Sequence, residues 1–474
     1  MNILSQPHSG PMAPPAILPP RITVNWVRVI AIAFLFFLQF GLITLFVAQD
    51  MVLGQQIASI AIITGLCLAP FVSRSNFRLN QLSDAFPMLL LAVVELVSYM
   101  SNQLIFHYGW GNWLTYSYIM FPLLAYYLFW VFSISAADIF AAILLMAGIT
   151  CVLVAIDSFY HIPVFDLIQR YTNADTGTRR VPILKNEVVF AFCLLVCDMY
   201  SRLGWLRRAP VYLAGLALIF YVISFCFESR IALGATMVTI FIFLMSRRIT
   251  LPIHLIYLLA GIVVGMPALY YGLSTYIDPI LNEGLGNYIA NHNVEIRFQS
   301  NEYYHKYFIQ TGGIGFGLMT LNQNARNFQS DGVPNFYNVA DLGLLGALYQ
   351  FGVVGLLLVL AATLILIYKL FSLGRRSIHP MHDRFLMTSC FVLGFTLQPI
   401  PMNFFTLNWT PLLGATLWYL MRRGTWEIQQ IELAVRMVPA MTGQEQLFER
   451  PVTATVKQHG EWQQKNRPSI DTNL

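Results

Sequence analysis

Residues 276–355 read YIDPILNEGLGNYIANHNVEIRFQSNEYYHKYFIQTGGIGFGLMTLNQNARNFQSDGVPNFYNVADLGLLGALYQFGVVG, a polar stretch in an otherwise hydrophobic chain. Most of it belongs to one predicted connection, residues 273–340, of about 68 residues, whereas ordinary connections have ~4–6. Its aromatic content and helical periodicity argue against disorder. We therefore predict a folded, helical cap over a membrane site.

The composition of the whole chain indicates a membrane protein. Of 474 residues, 57% are hydrophobic and 11% are charged, whereas soluble domains have ~25% charged residues. The six cysteines fall in apolar runs without the spacing of a metal site, so we expect small core residues. The net charge of +5 is explained by cytoplasmic flanks, and we predict no nucleic-acid partner.

Twelve apolar stretches have about the ~20 residues that a membrane-spanning helix needs. They lie near residues 26–48, 51–72, 85–106, 112–133, 137–158, 185–203, 209–227, 231–247, 251–272, 341–371, 383–401 and 404–421. The predicted fold is all-α, with about 12 transmembrane helices and a large helical periplasmic loop. The predicted parts are a flexible cytoplasmic arm (1–22), helices one to nine (23–272), the cap loop (273–340), helices ten to twelve (341–421) and a partly disordered cytoplasmic tail (422–474).

The distribution of arginines predicts the orientation, because cytoplasmic loops are enriched in basic residues. With twelve spans, one side of the membrane carries Arg21, Arg28, Arg74, Arg78, Arg202, Arg207, Arg208, Arg247, Arg248, Arg375, Arg376, Arg422 and Arg423. That side is predicted to be cytoplasmic, together with both termini. The outer loop 159–184 breaks the rule with Arg170, Arg179 and Arg180, which favours either an anionic ligand or a short solvated loop.

Two further arginines could bind an anion at the outer side. Arg230 lies in a hairpin between two apolar runs, where its partner is either Glu228 or a ligand phosphate, whose oxygens match the guanidinium fork. Arg297, Asn301 and His305 are spaced at i, i+4 and i+8, so they share one face of a predicted amphipathic helix. That face could hold an anionic head group beside a sugar, or it could be a solvated helix face.

Several acidic residues have both a structural and a functional interpretation. Asp341 stands where the chain re-enters the membrane, either as a helix cap or as a group that orients an acceptor. Glu95 lies within an apolar run, either as a functional acid or in a buried hydrogen bond. Glu302 and Lys306 fit an ordinary surface pair. The glycines of residues 312–317 are predicted to form a tight turn after a helix, not a nucleotide-binding loop.

Several segments together resemble the bacterial O-antigen polymerase and O-antigen ligase-like (Wzy-type) membrane glycosyltransferases. They are GTRRVPILKNEVVFAFCLLV, FESRIALGA, RFQSNEYYHKYFIQTGGIGFG and ADLGLLGALYQFGVVG, which span residues 170–360 in the family's order. The matching positions are Arg180, Asn186, Ser229, Arg230, Arg297, Gly315 and Gly317. Ligase-type members commonly have His-Asn at the start of the re-entry helix, where this chain has Asp341 and Leu342, which favours a polymerase.

The resemblance implies a GT-C-like fold and transfer of a glycan from undecaprenyl diphosphate to an acceptor sugar hydroxyl at the outer face of the bacterial inner membrane. It implies no cofactor and no metal, because arginines can stabilise the leaving diphosphate. We predict Arg230, Arg297, Asp341 and His305 as catalytic residues, and Arg179, Arg180, Asn186, Asn301, Tyr304 and Glu302 as substrate-binding residues. Of these, the resemblance implies Arg180, Asn186, Arg230 and Arg297. The tyrosines of the cap could stack on sugars or pack its core.

The implied partners are the lipid-linked donor and acceptor, the bilayer, and a separate regulator of chain length. Two other functions stay open at this point: ligation of the glycan to a different acceptor, and transport of a lipid-linked oligosaccharide. A transporter would be expected to carry several charges within its helices and an internal repeat. Here the charges concentrate in outer loops and no repeat is evident, which favours an enzyme.

Overall fold

The structure, a computed structural model, describes residues 24–39, 51–72, 82–101, 103, 117–160, 171–172, 179–180, 184–201, 209–227, 230–247, 292–318, 342–375, 379–398, 402, 404–405 and 410–442. The predicted arm 1–22, the predicted span 251–272 and the residues after 442 lie outside this part. The contacts that follow lie within residues 24–424, which form one compact unit.

The described part of the chain is helical, which confirms the all-α class. Its twelve α-helices are α1 (Trp26–Gln39), α2 (Met51–Val72), α3 (Leu82–Met100), α4 (Ala125–Val131), α5 (Ala136–Tyr160), α6 (Lys185–Ser201), α7 (Ala209–Tyr221), α8 (Arg230–Ser246), α9 (His292–Gln310), α10 (Leu344–Gly374), α11 (Pro380–Thr396) and α12 (Pro411–Thr442). A 3₁₀ turn, Phe121–Leu124, precedes α4, and a π-helical turn, Val222–Cys226, follows α7.

One small exception to the helical structure lies between α5 and α6. The two-residue strand β1 (Tyr171–Thr172) pairs antiparallel with β2 (Arg179–Arg180), with Tyr171 opposite Arg180. Both strands fall within the predicted outer loop 159–184. The backbone of the two loop arginines is therefore held by strand pairing.

Length and hydropathy identify two described helices that can cross a membrane. They are Ala136–Ser158 and Leu344–Gly374, with mean hydropathies of 2.8 and 2.7. Shorter apolar helices of 10–17 residues are Trp26–Gln39, Gln56–Phe71, Phe121–Val131, Pro210–Cys226 and Ala232–Ser246. By this criterion, two of the twelve predicted spans are supported within the described residues, and the complete set stays a prediction.

Aromatic side chains hold α5, α6 and α11 together. The rings of Phe190 and Phe391 stack with centroids 4.7 Å apart, and Phe140 lies 5.8 Å from Phe385. All four side chains are fully buried. Such aromatic pairs contribute ~0.5–1.5 kcal/mol each beyond the burial of their area. These contacts fix the positions of α5, α6 and α11 relative to one another.

Four ion pairs connect the helices within the described part of the chain. They join α1 to α5, α3 to α12, α6 to α11 and α8 to α11: Arg28–Asp138, Arg422–Asp84, Arg384–Asp198 and Arg247–Asp383. The Arg384–Asp198 pair is bidentate, with nitrogen–oxygen distances of 2.8 and 2.6 Å, and its side chains are 12% and 4% exposed. Because both charges are buried, each depends on the other.

Further contacts place these four pairs at one end of the helices. Tyr419 of α12 donates a hydrogen bond to the carbonyl of Ile134, just before α5 (2.6 Å). The Arg384 guanidinium lies 5.5 Å from the centre of the Phe140 ring, near the start of α5. We call this the ion-pair end. At this end α1, α3, α5 and α11 begin, and α4, α6 and α8 end. Helix α10 also ends here, because Arg247 donates a hydrogen bond to the Gly374 carbonyl (3.2 Å).

The opposite end of the helices, which we call the loop end, therefore contains the ends of α3 and α5 and the beginnings of α6, α8 and α10. Ser158 and Tyr221 are hydrogen-bonded there, 3.2 Å apart, which brings the end of α7 beside the end of α5. From α3 to α8, and again from α10 to α11, helices that follow one another in the chain thus run in opposite directions. This alternation is what a chain that crosses a layer repeatedly must show.

We expect Asp198→Ala to destabilise the protein by about 3–5 kcal/mol, because the change leaves the Arg384 guanidinium buried without its counter-charge. Thermal unfolding of the purified chain in detergent measures this loss. Arg28→Ala is the matched control: its side chain is 39% exposed and lies 3.9 Å from Asp138, so less than about 1 kcal/mol is expected. Equal effects of the two substitutions would contradict the structural role of the buried pair.

Candidate functional site at the loop end

The second half of helix α9 packs against the beginning of α10. The Tyr349 hydroxyl of α10 donates a hydrogen bond to the Asn301 side-chain oxygen (2.7 Å). The Tyr349 ring also lies 6.1 Å from the His305 ring. Asn301 and His305, one turn apart, therefore both lie next to Tyr349. They share one face of α9, as their spacing predicts. The predicted helix itself is confirmed, because α9 runs from His292 to Gln310.

The side chains of α9 divide clearly into buried and exposed groups. Tyr304 is 2% exposed and its ring stacks on Phe316 with centroids 5.5 Å apart, so it packs the core of the cap. His305 is exposed, as are Glu302 and Lys306. No ion pair joins these last two among the described ion pairs. Of the predicted site residues in this half of α9, His305 and Glu302 are thus the ones that a ligand can reach directly.

A backbone motif ends helix α9 at its glycines. The Gly313 N–H donates to the Phe308 carbonyl (3.0 Å) and the Gly312 N–H to the Ile309 carbonyl (2.9 Å), with φ of +61° at Gly312. These two bonds form a Schellman motif, which satisfies carbonyl groups at the end of the helix and favours glycine at the left-handed position. The predicted tight turn is confirmed.

Helix α10 is interrupted at Gly352, where φ is 67° and ψ is −171°. The interruption leaves carbonyl groups of the preceding turn available to another segment. The N–H groups of Phe316 and Gly317 donate to the carbonyls of Tyr349 and Gln350, at 3.0 and 2.7 Å. The chain after α9 is thereby bonded into the break of α10. We call residues 313–318 together with this break the glycine clasp.

Two serines, Ser98 of α3 and Ser101 directly after it, complete the glycine clasp from the other side. Ser101 donates its hydroxyl hydrogen to the Gly315 carbonyl (2.6 Å), and the hydroxyl oxygen of Ser98 accepts the Leu318 N–H (2.9 Å). Both serines are fully buried, so these bonds are shielded from water. Sequence reasoning did not single out either serine, although two hydroxyls near the end of an apolar helix are a detectable signal.

Only glycine fits the closest approaches within the clasp. A Cβ atom on Gly315 would lie 2.4 Å from the Gln350 carbonyl oxygen, and one on Gly352 would lie 2.3 Å from the Ile314 carbonyl oxygen. Both glycines also have positive φ, at +100° and +67°. The glycines that superficially suggest a nucleotide loop therefore serve close contact between two backbones.

Glu95 of α3 lies one turn before Ser98, and its carboxylate accepts a hydrogen bond from the Ser117 hydroxyl (2.7 Å). Ser117 lies in a separate segment that leads into the 3₁₀ turn before α4. The sequence left Glu95 open as either a functional acid or a partner in a buried hydrogen bond. The structure gives it a partly buried hydrogen bond, beside the clasp.

The predicted anion-binding residues belong to segments that meet the loop end. Asn186 is the second residue of α6, and Arg230 is the first residue of α8, and both helices begin there. Arg297 precedes Asn301 by one turn of α9. The structure describes the backbone, and not the side chains, at Arg230 and Arg297 and at the two arginines of β2. Asp341 lies outside the described residues, directly before Leu342.

The arrangement brings three kinds of group to one end of the protein: arginine-bearing segments, an exposed imidazole and a helix broken beside a rigid turn. Arginine side chains on such segments would suit a polyanionic ligand such as a diphosphate. In the described part of the chain, no three His, Cys, Asp or Glu side chains come together as metal ligands. Sequence reasoning missed the roles of Tyr349 and Gly352, which became recognisable only from their contacts.

No protein-family model matches the chain, and no curated protein matches it in sequence.

Proposed function

We propose that this chain is a polysaccharide polymerase of the bacterial inner membrane. It takes a glycan from undecaprenyl diphosphate and transfers it to a sugar hydroxyl of the next lipid-linked repeat unit, at the periplasmic face. The observation that carries the proposal is the meeting of three arginine-bearing segments, β2, α8 and α9, at the loop end, beside the glycine clasp. The ion-pair end faces the cytoplasm in this proposal.

The exposed surface of the helices supports a membrane location. Large apolar side chains are exposed along α1, α2, α3, α7, α8 and α10, including Phe34 (57%), Leu68 (52%), Leu96 (58%), Leu213 (55%), Phe241 (59%) and Leu364 (65%). Soluble monomers rarely expose contiguous apolar patches beyond a few hundred Å². Lipid tails are a suitable environment for these faces, whereas water is not.

The order of helix directions supports one further span between α8 and α9. Helix α8 ends at the ion-pair end, whereas α9 packs at the loop end. This is the relation that one further span would give, and the sequence predicts it at 251–272, outside the described residues. Of the arginines predicted to be cytoplasmic, those with described contacts to acidic side chains (Arg28, Arg247 and Arg422) all lie at the ion-pair end.

The proposed chemistry needs positive charge at the leaving group and an oriented acceptor. Arg180, Arg230 and Arg297 would stabilise the charge that develops on the departing diphosphate. Their planar forks match phosphate oxygens in pairs, which also orients the donor. His305, which is exposed, or Asp341 would orient the acceptor hydroxyl and receive its proton. These residues supply the reaction without a cofactor.

Deletion of the gene in its own bacterium tests this function against the two alternatives. A polymerase defect leaves single repeat units on the lipid diphosphate at the periplasmic face and removes the polymer. Loss of a ligase would instead leave finished polymer on the lipid carrier. Loss of a transporter would leave single units at the cytoplasmic face. Either of these last two patterns would overturn the proposal.

We expect Asp341→Asn to reduce polymer yield by about tenfold to 100-fold, because an amide accepts no proton from the acceptor hydroxyl. The measurement is the amount and length distribution of polymer in cells that express the variant at normal level. The N-cap of α10 is Gly343, so the predicted role of Asp341 as the cap of this helix is wrong. Full activity in Asp341→Asn cells would show that the Asp341 carboxylate takes no part in the reaction.

A further inference from the structure

Helix α10 carries a continuous apolar stripe on its exposed face. The stripe includes Val353, Val354, Leu357, Leu364, Ile365 and Tyr368, which are between 43% and 70% exposed. Their spacing by three, four and seven residues places them on one side of the helix. At 1.5 Å per residue the stripe is about 22 Å long, so it covers much of the thickness of a bilayer core. It runs toward the ion-pair end.

The stripe ends in a groove of about 340 Å³ at the C-terminal end of α10. The groove is lined by Tyr368, Phe371, Ser372 and Arg375, at spacings of three, four and seven residues. These residues continue the same face of the helix, but their chemistry changes from aliphatic groups to two hydroxyls and a guanidinium. The exposed surface of α10 is thus apolar along its length and cationic at its end. Such a surface is complementary to an anionic amphiphile, which has apolar chains and an anionic headgroup.

Arg375 differs from the other arginines described at the ion-pair end. Arg28, Arg247, Arg384 and Arg422 form ion pairs, and Arg423 lies over the Trp130 ring at 5.9 Å. The Arg375 side chain is exposed and makes no such contact within the described part of the chain. Its guanidinium is therefore available to a ligand from outside the protein.

The C-terminal end of α10, beside the groove, repels an anion only weakly. A helix C-terminus carries partial negative charge on its last carbonyls. The Gly374 carbonyl, next to Arg375, already accepts a hydrogen bond from Arg247 (3.2 Å), which offsets part of this charge. The groove therefore combines a free guanidinium with a partly neutralised helix end.

We propose that this groove binds the phosphate headgroup of an anionic phospholipid of the inner leaflet, with its acyl chains along the α10 stripe. Guanidinium and phosphate match bidentately, and the two hydroxyls can donate further hydrogen bonds. A basic pocket at the cytoplasmic end of a membrane helix is a suitable place for such a headgroup. The inference rests on the proposed membrane location and orientation, and it is independent of glycosyl transfer.

Native mass spectrometry of the purified full chain in detergent tests the proposal, with phosphatidylglycerol and phosphatidylcholine offered at equal concentration. The wild type should retain about fivefold more phosphatidylglycerol. Arg375→Gln should reduce this retention to the level of phosphatidylcholine. Lys369→Gln is the matched control, because Lys369 is an exposed cation on the same helix that does not line the groove, and it should leave retention unchanged.

Three results would overturn the lipid site. They are equal retention of both lipids by the wild type, unchanged phosphatidylglycerol retention in Arg375→Gln, and displacement of the lipid by inorganic phosphate at equal concentration. The last would assign the groove to a soluble anion. If Arg375→Gln does not elute as a folded monodisperse protein, the comparison of the two lipids in the wild type decides.

Discussion

Replacement of Arg297 by alanine is expected to reduce polymer formation by about 100-fold or more, with a normal level of protein in the membrane. A charged group that stabilises the transition state is worth about 100- to 1000-fold in rate. Arg297 lies one turn before Asn301, whose side chain accepts the hydrogen bond from Tyr349 of α10, so its loss removes a cation from the proposed diphosphate site. Polymer from cells that express the variant, separated by length on a gel, measures the effect.

Two further variants separate charge at this position from the general properties of α9. Arg297→Lys keeps the charge but loses the planar fork, so intermediate activity is expected. Lys306→Ala removes an exposed cation from the same helix and should leave polymer yield unchanged. If Arg297→Ala cells produce polymer of normal length and amount, Arg297 takes no part in binding the diphosphate.

Gly352→Ala is expected to open the glycine clasp and to abolish polymer formation as well. The new Cβ would lie 2.3 Å from the Ile314 carbonyl oxygen, at a φ of +67° that costs about 1–3 kcal/mol for a residue other than glycine. Neither backbone can move away without losing the bonds from Phe316 and Gly317 to α10. Limited proteolysis between α9 and α10 should therefore become faster, alongside the loss of activity.

Gly234→Ala is the matched control for the clasp. Gly234 lies within α8, and a Cβ there meets nothing within 4 Å, so alanine should be neutral or slightly stabilising. Unchanged proteolysis and activity in Gly352→Ala would show that the break in α10 does not depend on glycine and that the clasp is not needed for function.

The sequence predicted the positions of the helices well because their signal is local. The stretch predicted at 51–72 coincides with α2. The stretches predicted at 137–158 and 231–247 begin and end within one or two residues of α5 and α8. Apolar runs bounded by polar residues are sufficient for such a prediction. The tight turn after α9 was predictable for the same reason, because glycine at a helix end has a local conformational cause.

Contacts between distant residues were not predictable in this way. Nothing near Asp198 in the sequence indicates that Arg384, 186 positions later, binds its carboxylate through two guanidinium nitrogens. Tyr304 was considered for sugar stacking, but its ring lies within the cap against Phe316. The clasp requires the carbonyls of a broken helix, and a single glycine in an apolar run does not specify a break.

The most direct test of the central claim is an assay of the purified chain with short-chain undecaprenyl-diphosphate-linked repeat units, in the presence of a chelator. Products are separated by mass. The proposal predicts a ladder of multiples of the repeat unit, which the Arg297→Ala variant fails to form. Absence of a ladder, with movement of the lipid-linked glycan across proteoliposomes that contain the wild-type chain, would contradict the polymerase and identify a transporter.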